Sequence, residues 1–194
     1  MLISPGSAVC IAYDPNTGQE IWRVVDGAES TVAMPFTENG VVFWYTGYMV
    51  DSNGSEFTNL VAVNPEGKGD ITSTNVLWKL KDGLSRNQSL SPVIRDGLIY
   101  TVNTRNILMC VDALTGKEMW STHVTSNYDA SPIYVNGNIW FFSVKGDVLV
   151  IKAGREYEIV AKNQMDSGIW ATPAILRNSA IVRTQKYLYR IGGE

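Results

Sequence analysis

Short apolar runs, each bounded by a turn signal, recur along the whole chain. Between positions 91 and 123 four such runs follow one another, namely Ser91 to Ile94, Leu98 to Asn103, Ile107 to Asp112 and Glu118 to His123. Runs of this length, rich in β-branched and aromatic residues, predict strands. Glycine-containing turns between them predict antiparallel hairpins. The pattern therefore predicts an all-β chain built from units of four strands, which we name a to d.

Two markers give the period of this unit. The nine residues from Asp14 to Trp22 recur 98 positions later as Asp112 to Trp120, with Asp, Thr, Gly, Glu and Trp in register. A proline that opens a strand-rich run falls at positions 35, 92, 132 and 173, so the spacings are 57, 40 and 41. Four-strand units repeating about every forty residues are typical of a β-propeller, in which each unit is one blade.

The Asp-x-x-Thr-Gly segment predicts the turn between strands c and d. Its Asp and Thr oxygens accept turn N–H groups, and its Gly adopts the left-handed conformation. The Trp that follows on strand d is a large flat side chain suited to packing between blades. We interpret these repeat residues as structural: Asp14, Thr17, Gly18, Trp22, Trp78, Asp112, Thr115, Gly116 and Trp120.

This combination resembles the pyrroloquinoline-quinone-like (PQQ-like) propeller repeat, and the resemblance covers nearly the whole chain. The family includes quinoprotein dehydrogenases and the non-catalytic BamB-type lipoproteins that assist outer-membrane barrel assembly. The resemblance implies a β-propeller of four-stranded antiparallel blades, and BamB-type proteins are the nearest functional type. A shared fold does not decide between these functions.

The predicted blades divide the chain at regular positions. We expect one partial propeller domain over 1–194, with three complete blades between a first blade without strand a and a last blade without strand d. Such a chain corresponds to the C-terminal half of a seven- or eight-bladed ring. Its open blade faces favour a homodimer or association with the missing half. The blades are predicted at about 1–26, 31–81, 89–123, 129–163 and 169–194.

Composition narrows the classes of partner. Apolar residues make up 45% of the chain, charged residues 18%, and the net charge is −3, as in an ordinary soluble domain. Mild acidity without basic clusters argues against nucleic acid. No run of eighteen apolar residues predicts a transmembrane helix. The resemblance implies a periplasmic, outer-membrane-anchored or secreted bacterial protein, whose signal would lie outside this segment.

Candidate catalytic and metal-binding residues are few. Quinone-dependent relatives carry an adjacent Cys-Cys pair and a carboxylate set that holds calcium, whereas Cys10 and Cys110 lie far apart and are predicted to be buried thiols. His123 has no partner in metal-ligand spacing. The segment Asp51 to Glu56 has its Gly fourth rather than sixth, unlike a calcium loop. We therefore predict no catalytic residue, no metal and no cofactor.

The best candidate site is a surface formed by loops. In this topology the d-to-a and b-to-c connections share one face of the propeller. Aromatic, Arg and amide residues on that face have a binding composition, and the insertion from Trp44 to Asn59 is predicted to extend strands b and c from the same side. The candidates are Trp44, Tyr45, Tyr48, Arg86, Asn87, Arg105, Asn127, Tyr128 and Trp170.

Three functions remain open at this point. The leading hypothesis is a non-catalytic scaffold that binds a protein or glycan partner at the bacterial envelope. The first alternative is a PQQ-dependent dehydrogenase whose catalytic residues lie outside this segment. The second alternative is a sensor or accessory domain of a larger protein.

Overall fold

The chain forms β-strands joined by turns, and the part that the structure describes contains no helix. The computed structural model divides it into two compact units, Met1–Gln88 with Asp112–Lys117, and Ser89–Val111 with Glu118–Glu194. The described residues are 1–27, 32–82 and 90–192.

The described residues of the first unit form nine strands in two sheets. The strands are β1 (Leu2–Pro5), β2 (Val9–Tyr13), β3 (Glu20–Val25), β4 (Phe36–Glu38), β5 (Val41–Tyr45), β6 (Met49–Val50), β7 (Glu56–Val63), β8 (Gly69–Asp70) and β9 (Val76–Asp82).

The first sheet has the order β1-β2-β3-β8. Strands β1 to β3 are antiparallel, but β8 comes from the long connection between β7 and β9 and runs parallel to β3. Thr72 anchors this connection, because its Oγ1 accepts a 2.8 Å hydrogen bond from the amide of Val25. The connection thereby covers the edge of β3, which would otherwise present unpaired backbone groups.

The second sheet is organised around β7, its longest strand. Strand β7 pairs with β5 along one edge and with β9 along the other, and β4 pairs with β5. The short strand β6 pairs with the beginning of β7, so the insertion forms a hairpin. Asp51 closes the hairpin tip by accepting hydrogen bonds from the amides of Asn53 and Ser55 at 2.9 and 3.0 Å.

In the second unit, eleven strands in three sheets lie within the part of the chain that the structure describes. Each sheet is an antiparallel meander in chain order, β10-β11-β12-β13, β14-β15-β16-β17 and β18-β19-β20. The strands are β10 (Val93–Arg95), β11 (Leu98–Val102), β12 (Ile107–Asp112), β13 (Glu118–His123), β14 (Ile133–Val135), β15 (Asn138–Phe142), β16 (Asp147–Lys152), β17 (Ile159–Gln164), β18 (Ala174–Ile175), β19 (Ser179–Arg183) and β20 (Leu188–Gly192).

These sheets confirm the predicted all-β class and its four-stranded antiparallel building block. The assignment of 1–194 to a single propeller domain with five blades stays a prediction. The same irregularity recurs in all four ladders between strands c and d, where the register shifts next to the position of the repeat Trp. The shifts follow Ala12, Ala62, Cys110 and Val150.

The first copy of the repeated turn follows the predicted chemistry. Asp14 Oδ1 accepts a hydrogen bond from the amide of Asn16 at 2.8 Å, and Thr17 Oγ1 accepts one from Gln19 at 3.3 Å. The amide of Asn16 is the main cause that lowers the pKa of Asp14. Gly18 adopts a φ of 71°, in the left-handed region that glycine tolerates best.

The second copy adds a packing contact. Asp112 Oδ1 accepts hydrogen bonds from the amide and the hydroxyl of Thr115 at 3.0 and 2.9 Å. The ring of Trp78 lies on Gly116, and its Nε1 donates to the carbonyl of Ala113 at 3.0 Å. A Cβ at Gly116 would lie 2.6 Å from the Trp78 ring. Gly116 is therefore required for its φ of 70° and for this close approach.

We expect the Gly116→Ala variant to be clearly less stable than Gly18→Ala. Both substitutions place a side chain at a φ near 70°, which costs about 1–2 kcal/mol. No atom lies within 4 Å of a Cβ at Gly18, whereas Gly116→Ala adds a collision with Trp78, at about 1–3 kcal/mol more. Urea unfolding of the two variants measures the difference, and equal midpoints would show that Trp78 does not press on this turn.

Candidate partner-binding face

The three turns between strands b and c in the second unit share one construction. The first residue of each turn uses its side-chain oxygen to accept a hydrogen bond from the backbone amide two positions later. The residue at that later position is exposed and cationic in every case. The pairs are Asn103 with Arg105 at 3.0 Å, Ser143 with Lys145 at 3.1 Å, and Thr184 with Lys186 at 3.3 Å.

Backbone hydrogen bonds tie these turns to the connections between successive sheets. In the connection after β13, the carbonyl of Asn127 accepts a hydrogen bond from the amide of Val144 at 3.0 Å. In the connection after β17, Ile169 donates to Ser143 at 3.0 Å and Gly168 accepts from Gln185 at 2.9 Å. We call the resulting surface the loop face, which comprises the turns 103–106, 143–146 and 184–187 and the connections 124–131 and 165–172.

Four predicted residues lie on the loop face. Arg105 and Asn127 are exposed, and Trp170 exposes 53% of its surface. Tyr128 is half-buried, with its ring edge-on to Phe141 at a centroid distance of 6.1 Å. Burial, followed by the negative charge of Asp147, raises the pKa of Tyr128 to about 12. Tyr128 is therefore neutral at physiological pH, and its half-buried ring packs beneath the loop face against Phe141.

Trp170 borders a cavity of about 280 Å³, together with Ala171, Arg183, Thr184 and Gln185. The two residues before Trp170, Gly168 and Ile169, are buried and hydrogen-bonded through their backbones. An exposed aromatic ring on a fixed backbone loses little conformational entropy when it binds. Trp170 is thus the best-placed anchor residue on the loop face.

Trp44, Tyr45 and Tyr48 do not lie on an exposed surface, which corrects their prediction as partner-contacting residues. Trp44 and Tyr45 are each 1% exposed and Tyr48 is 9% exposed. Strand β5 pairs with β4 and β7 along its edges, and its last four residues are all buried, so both faces of the strand are covered at Trp44 and Tyr45. Arg86 and Asn87, the remaining candidates, lie outside the described residues.

Sequence reasoning missed a polar cluster beneath the loop face. The Oδ2 atom of Asp147 accepts hydrogen bonds from the hydroxyls of Ser126 and Ser143, the latter at 2.9 Å. These bonds join the connection 124–131 to the turn 143–146. Each bond holds a loop in place, so the cluster stiffens the surface above it. One member of the cluster, Ser143, also caps its turn. The sequence signal for such caps is an Asn, Ser or Thr two positions before each turn cation.

These sheets and turns define a PQQ-like β-propeller protein. A family model described as outer membrane protein assembly factor BamB matches residues 6–156, and the chain belongs to this family. The crystal structure of BamB from Moraxella catarrhalis shares the fold, with a TM-score of 0.60 at 15% identity, over 95% of this chain and 54% of that one. The predicted propeller family and fold class are therefore confirmed.

Two curated relatives are similar over part of the chain. The outer membrane protein assembly factor BamB of Nitrosomonas eutropha is 27% identical over 107 residues, which cover 51% of this chain and 26% of that protein. The dehydrogenase subunit of alcohol dehydrogenase (quinone) from Gluconacetobacter polyoxogenes is 25% identical over 97 residues, which cover 44% of this chain and 13% of that subunit. The matches thus span only a minor part of each relative.

The potential metal-ligating side chains that the structure describes are dispersed. Over residues 1–27, 32–82 and 90–192, no three His, Cys, Asp or Glu side chains lie close enough together to hold a metal ion. Cys10 and Cys110 are buried thiols rather than an adjacent pair. Burial raises the pKa of Cys10 to about 12, which makes it a poor nucleophile. No described helix is long and apolar enough to cross a membrane.

Proposed function

We propose that this chain is a non-catalytic scaffold of the bacterial envelope that binds a protein partner through the loop face, in the service of outer-membrane protein assembly. The family supports an assembly role, since both the matching family model and one curated relative carry that description. The observation that carries the choice of surface is the repeated turn, which holds one exposed cation on each of three successive sheets.

The charges of the loop face favour an acidic partner surface. The chain as a whole has a net charge of −3, but the exposed cations Arg105, Lys145 and Lys186 outnumber the two carboxylates of the loop face, Asp129 and Asp166. The carboxylate of Asp147 below them is engaged by two hydroxyls. A cationic patch on an acidic protein orients an acidic partner and speeds its association.

Trp170 supplies the apolar part of the proposed contact. Trp and Arg are the residues most often found at energetic hot spots of protein interfaces. Trp170 lies on the connection 165–172, which is hydrogen-bonded to two of the three cationic turns. An aromatic anchor flanked by cations suits a protein surface that offers an apolar pocket with acidic neighbours.

Site-specific photocrosslinking tests this proposal. A photoreactive phenylalanine analogue replaces Asn127 on the loop face or, as the matched control, Glu156 in the turn after β16 at the opposite end of its sheet. Both positions are exposed. We expect a defined protein adduct from position 127 in a native envelope extract of the same bacterium, and none from position 156.

Two outcomes would contradict the proposal. Adducts of equal yield from both positions would show that the loop face is not preferred. Retention of the native chain on immobilised envelope glycans, without a protein adduct at position 127, would favour a glycan ligand instead.

A further inference from the structure

The sheet β14-β15-β16-β17 lacks the Trp that marks strand d in the other four-stranded sheets. In the sheet of β13, Trp120 lies opposite Cys110, donates to the carbonyl of Gly154 at 3.2 Å and packs against Tyr157 at 5.1 Å. The equivalent position on β17, opposite Val150, is Ala161. The side chain that fills the space towards the next sheet is therefore missing at this place.

A cavity of about 630 Å³ lies within the second unit. Ala161 does not line it but packs against the cluster of Phe142, Val148 and Val182, which do. The cavity walls come from one face of the sheet that contains Ala161 and from the facing side of β18, β19 and β20. Most of the lining is apolar, and its size falls in the usual range for small-molecule sites. The large apolar lining residues are Ile133, Trp140, Phe142, Met165, Leu176 and Ile191.

The polar side chains that line the cavity are Asn136, Asn163, Arg177, Asn178 and Ser179. Arg177 lines the cavity and contributes a positive charge, and Asn136 and Asn178 add amides. No Asp or Glu is present among the described residues that line it. A guanidinium at an apolar cavity whose described lining includes no carboxylate suits a ligand that carries a negative charge.

We propose that this cavity binds a small anionic amphiphile, of the class of single-chain fatty carboxylates. The apolar chain lies against the apolar walls, and the carboxylate accepts hydrogen bonds from Arg177 and from the side-chain amides of the lining. The charge of Arg177 selects an anionic over a neutral or cationic head group. This inference is independent of the proposed partner-binding function, because the cavity contains none of the three turn cations.

Calorimetric titration below the critical micelle concentration tests the proposal. The three probes share a twelve-carbon chain and differ in head group: dodecanoate is anionic, dodecyltrimethylammonium is cationic and dodecanol is neutral. We expect dodecanoate to bind with a stoichiometry of one, and dodecyltrimethylammonium to bind at least about tenfold more weakly. Arg177→Gln weakens dodecanoate about tenfold and leaves dodecanol unchanged. Ala161→Trp restores the missing side chain and weakens both dodecanoate and dodecanol at least about tenfold.

Several results would overturn the proposal. Equal affinity for the three head groups, or dodecanoate binding that Arg177→Gln does not change, would exclude charge selection. Unchanged binding in a folded Ala161→Trp variant would place the ligand elsewhere, and if that variant does not fold, Arg177→Gln decides alone. If dodecanoate gives no binding heat, and light scattering shows self-association that dodecanoate does not reverse, the cavity would instead be occupied by a second copy of the chain.

Discussion

The Trp22→Ala variant is expected to lose about 3–5 kcal/mol of unfolding free energy, the range for removing a large aromatic side chain from a core. Trp22 is 0% exposed and packs in a cluster with Val24, Trp44 and Val61. Its Nε1 has no hydrogen-bond partner among the described residues, so the loss comes from apolar packing. Urea unfolding followed by circular dichroism measures the change.

Trp170→Ala is the matched control, since it is the same substitution at a Trp that is 53% exposed. We expect this variant to lie within about 0.5 kcal/mol of the native protein, as exposed substitutions do. A Trp22→Ala midpoint equal to that of Trp170→Ala would contradict the assignment of the repeat Trp to the core.

Local sequence chemistry predicted the repeated sheets well. Strands β12 and β13 run from Ile107 to Asp112 and from Glu118 to His123, the predicted limits, because the Asp-x-x-Thr-Gly turn fixes the residues that flank it. Strand β10 begins at Val93 rather than at the predicted Ser91. Pro92 has no N–H to donate to a ladder, and the amide of Ser91 donates instead to Ser131 Oγ at 2.9 Å.

Contacts between distant segments explain what the sequence did not predict. The run Val41–Tyr45 identifies a strand, but the burial of Trp44 depends on residues distant in the chain, such as Trp22 and Val24 of β3. Trp44 and Tyr45 were therefore wrongly placed on the surface. Strand β8 likewise pairs with β3 across more than forty positions. Periodicity within one segment carries no information about such neighbours.

The candidate site was predicted in part. Arg105, Asn127 and Trp170 are exposed, as binding residues must be, because they lie in connections rather than strands. The caps that fix the turn cations were not predicted, since Asn103, Ser143 and Thr184 differ in residue type and share only an oxygen two positions before the cation. Whether the loop face binds a partner stays a prediction.

Reversing the charges of the three turn cations is expected to abolish partner binding. The triple variant Arg105→Glu, Lys145→Glu, Lys186→Glu places like charges against an acidic partner, and each such juxtaposition costs several kcal/mol. The turns themselves remain intact because the caps bond backbone amides and not the cationic side chains. We therefore expect an affinity loss of at least about a hundredfold with unchanged stability.

A second triple variant provides the charge-matched control. Arg95, Lys152 and Arg155 lie at the opposite end of the sheets of the second unit, in or beside the turns after β10 and β16. Replacing all three by Glu changes the net charge by the same amount as reversal on the loop face. A general electrostatic effect lowers both affinities equally, whereas a specific interface responds only to the loop-face variant.

The most direct test of the central claim is a measurement of binding affinity. The partner that crosslinks at position 127 is titrated with the native chain and with each triple variant at physiological ionic strength. The proposed loop-face interface predicts at least about a hundredfold loss for the loop-face variant and less than about a threefold change for the control. Equal losses in the two variants, or native affinity in the loop-face variant, would contradict it.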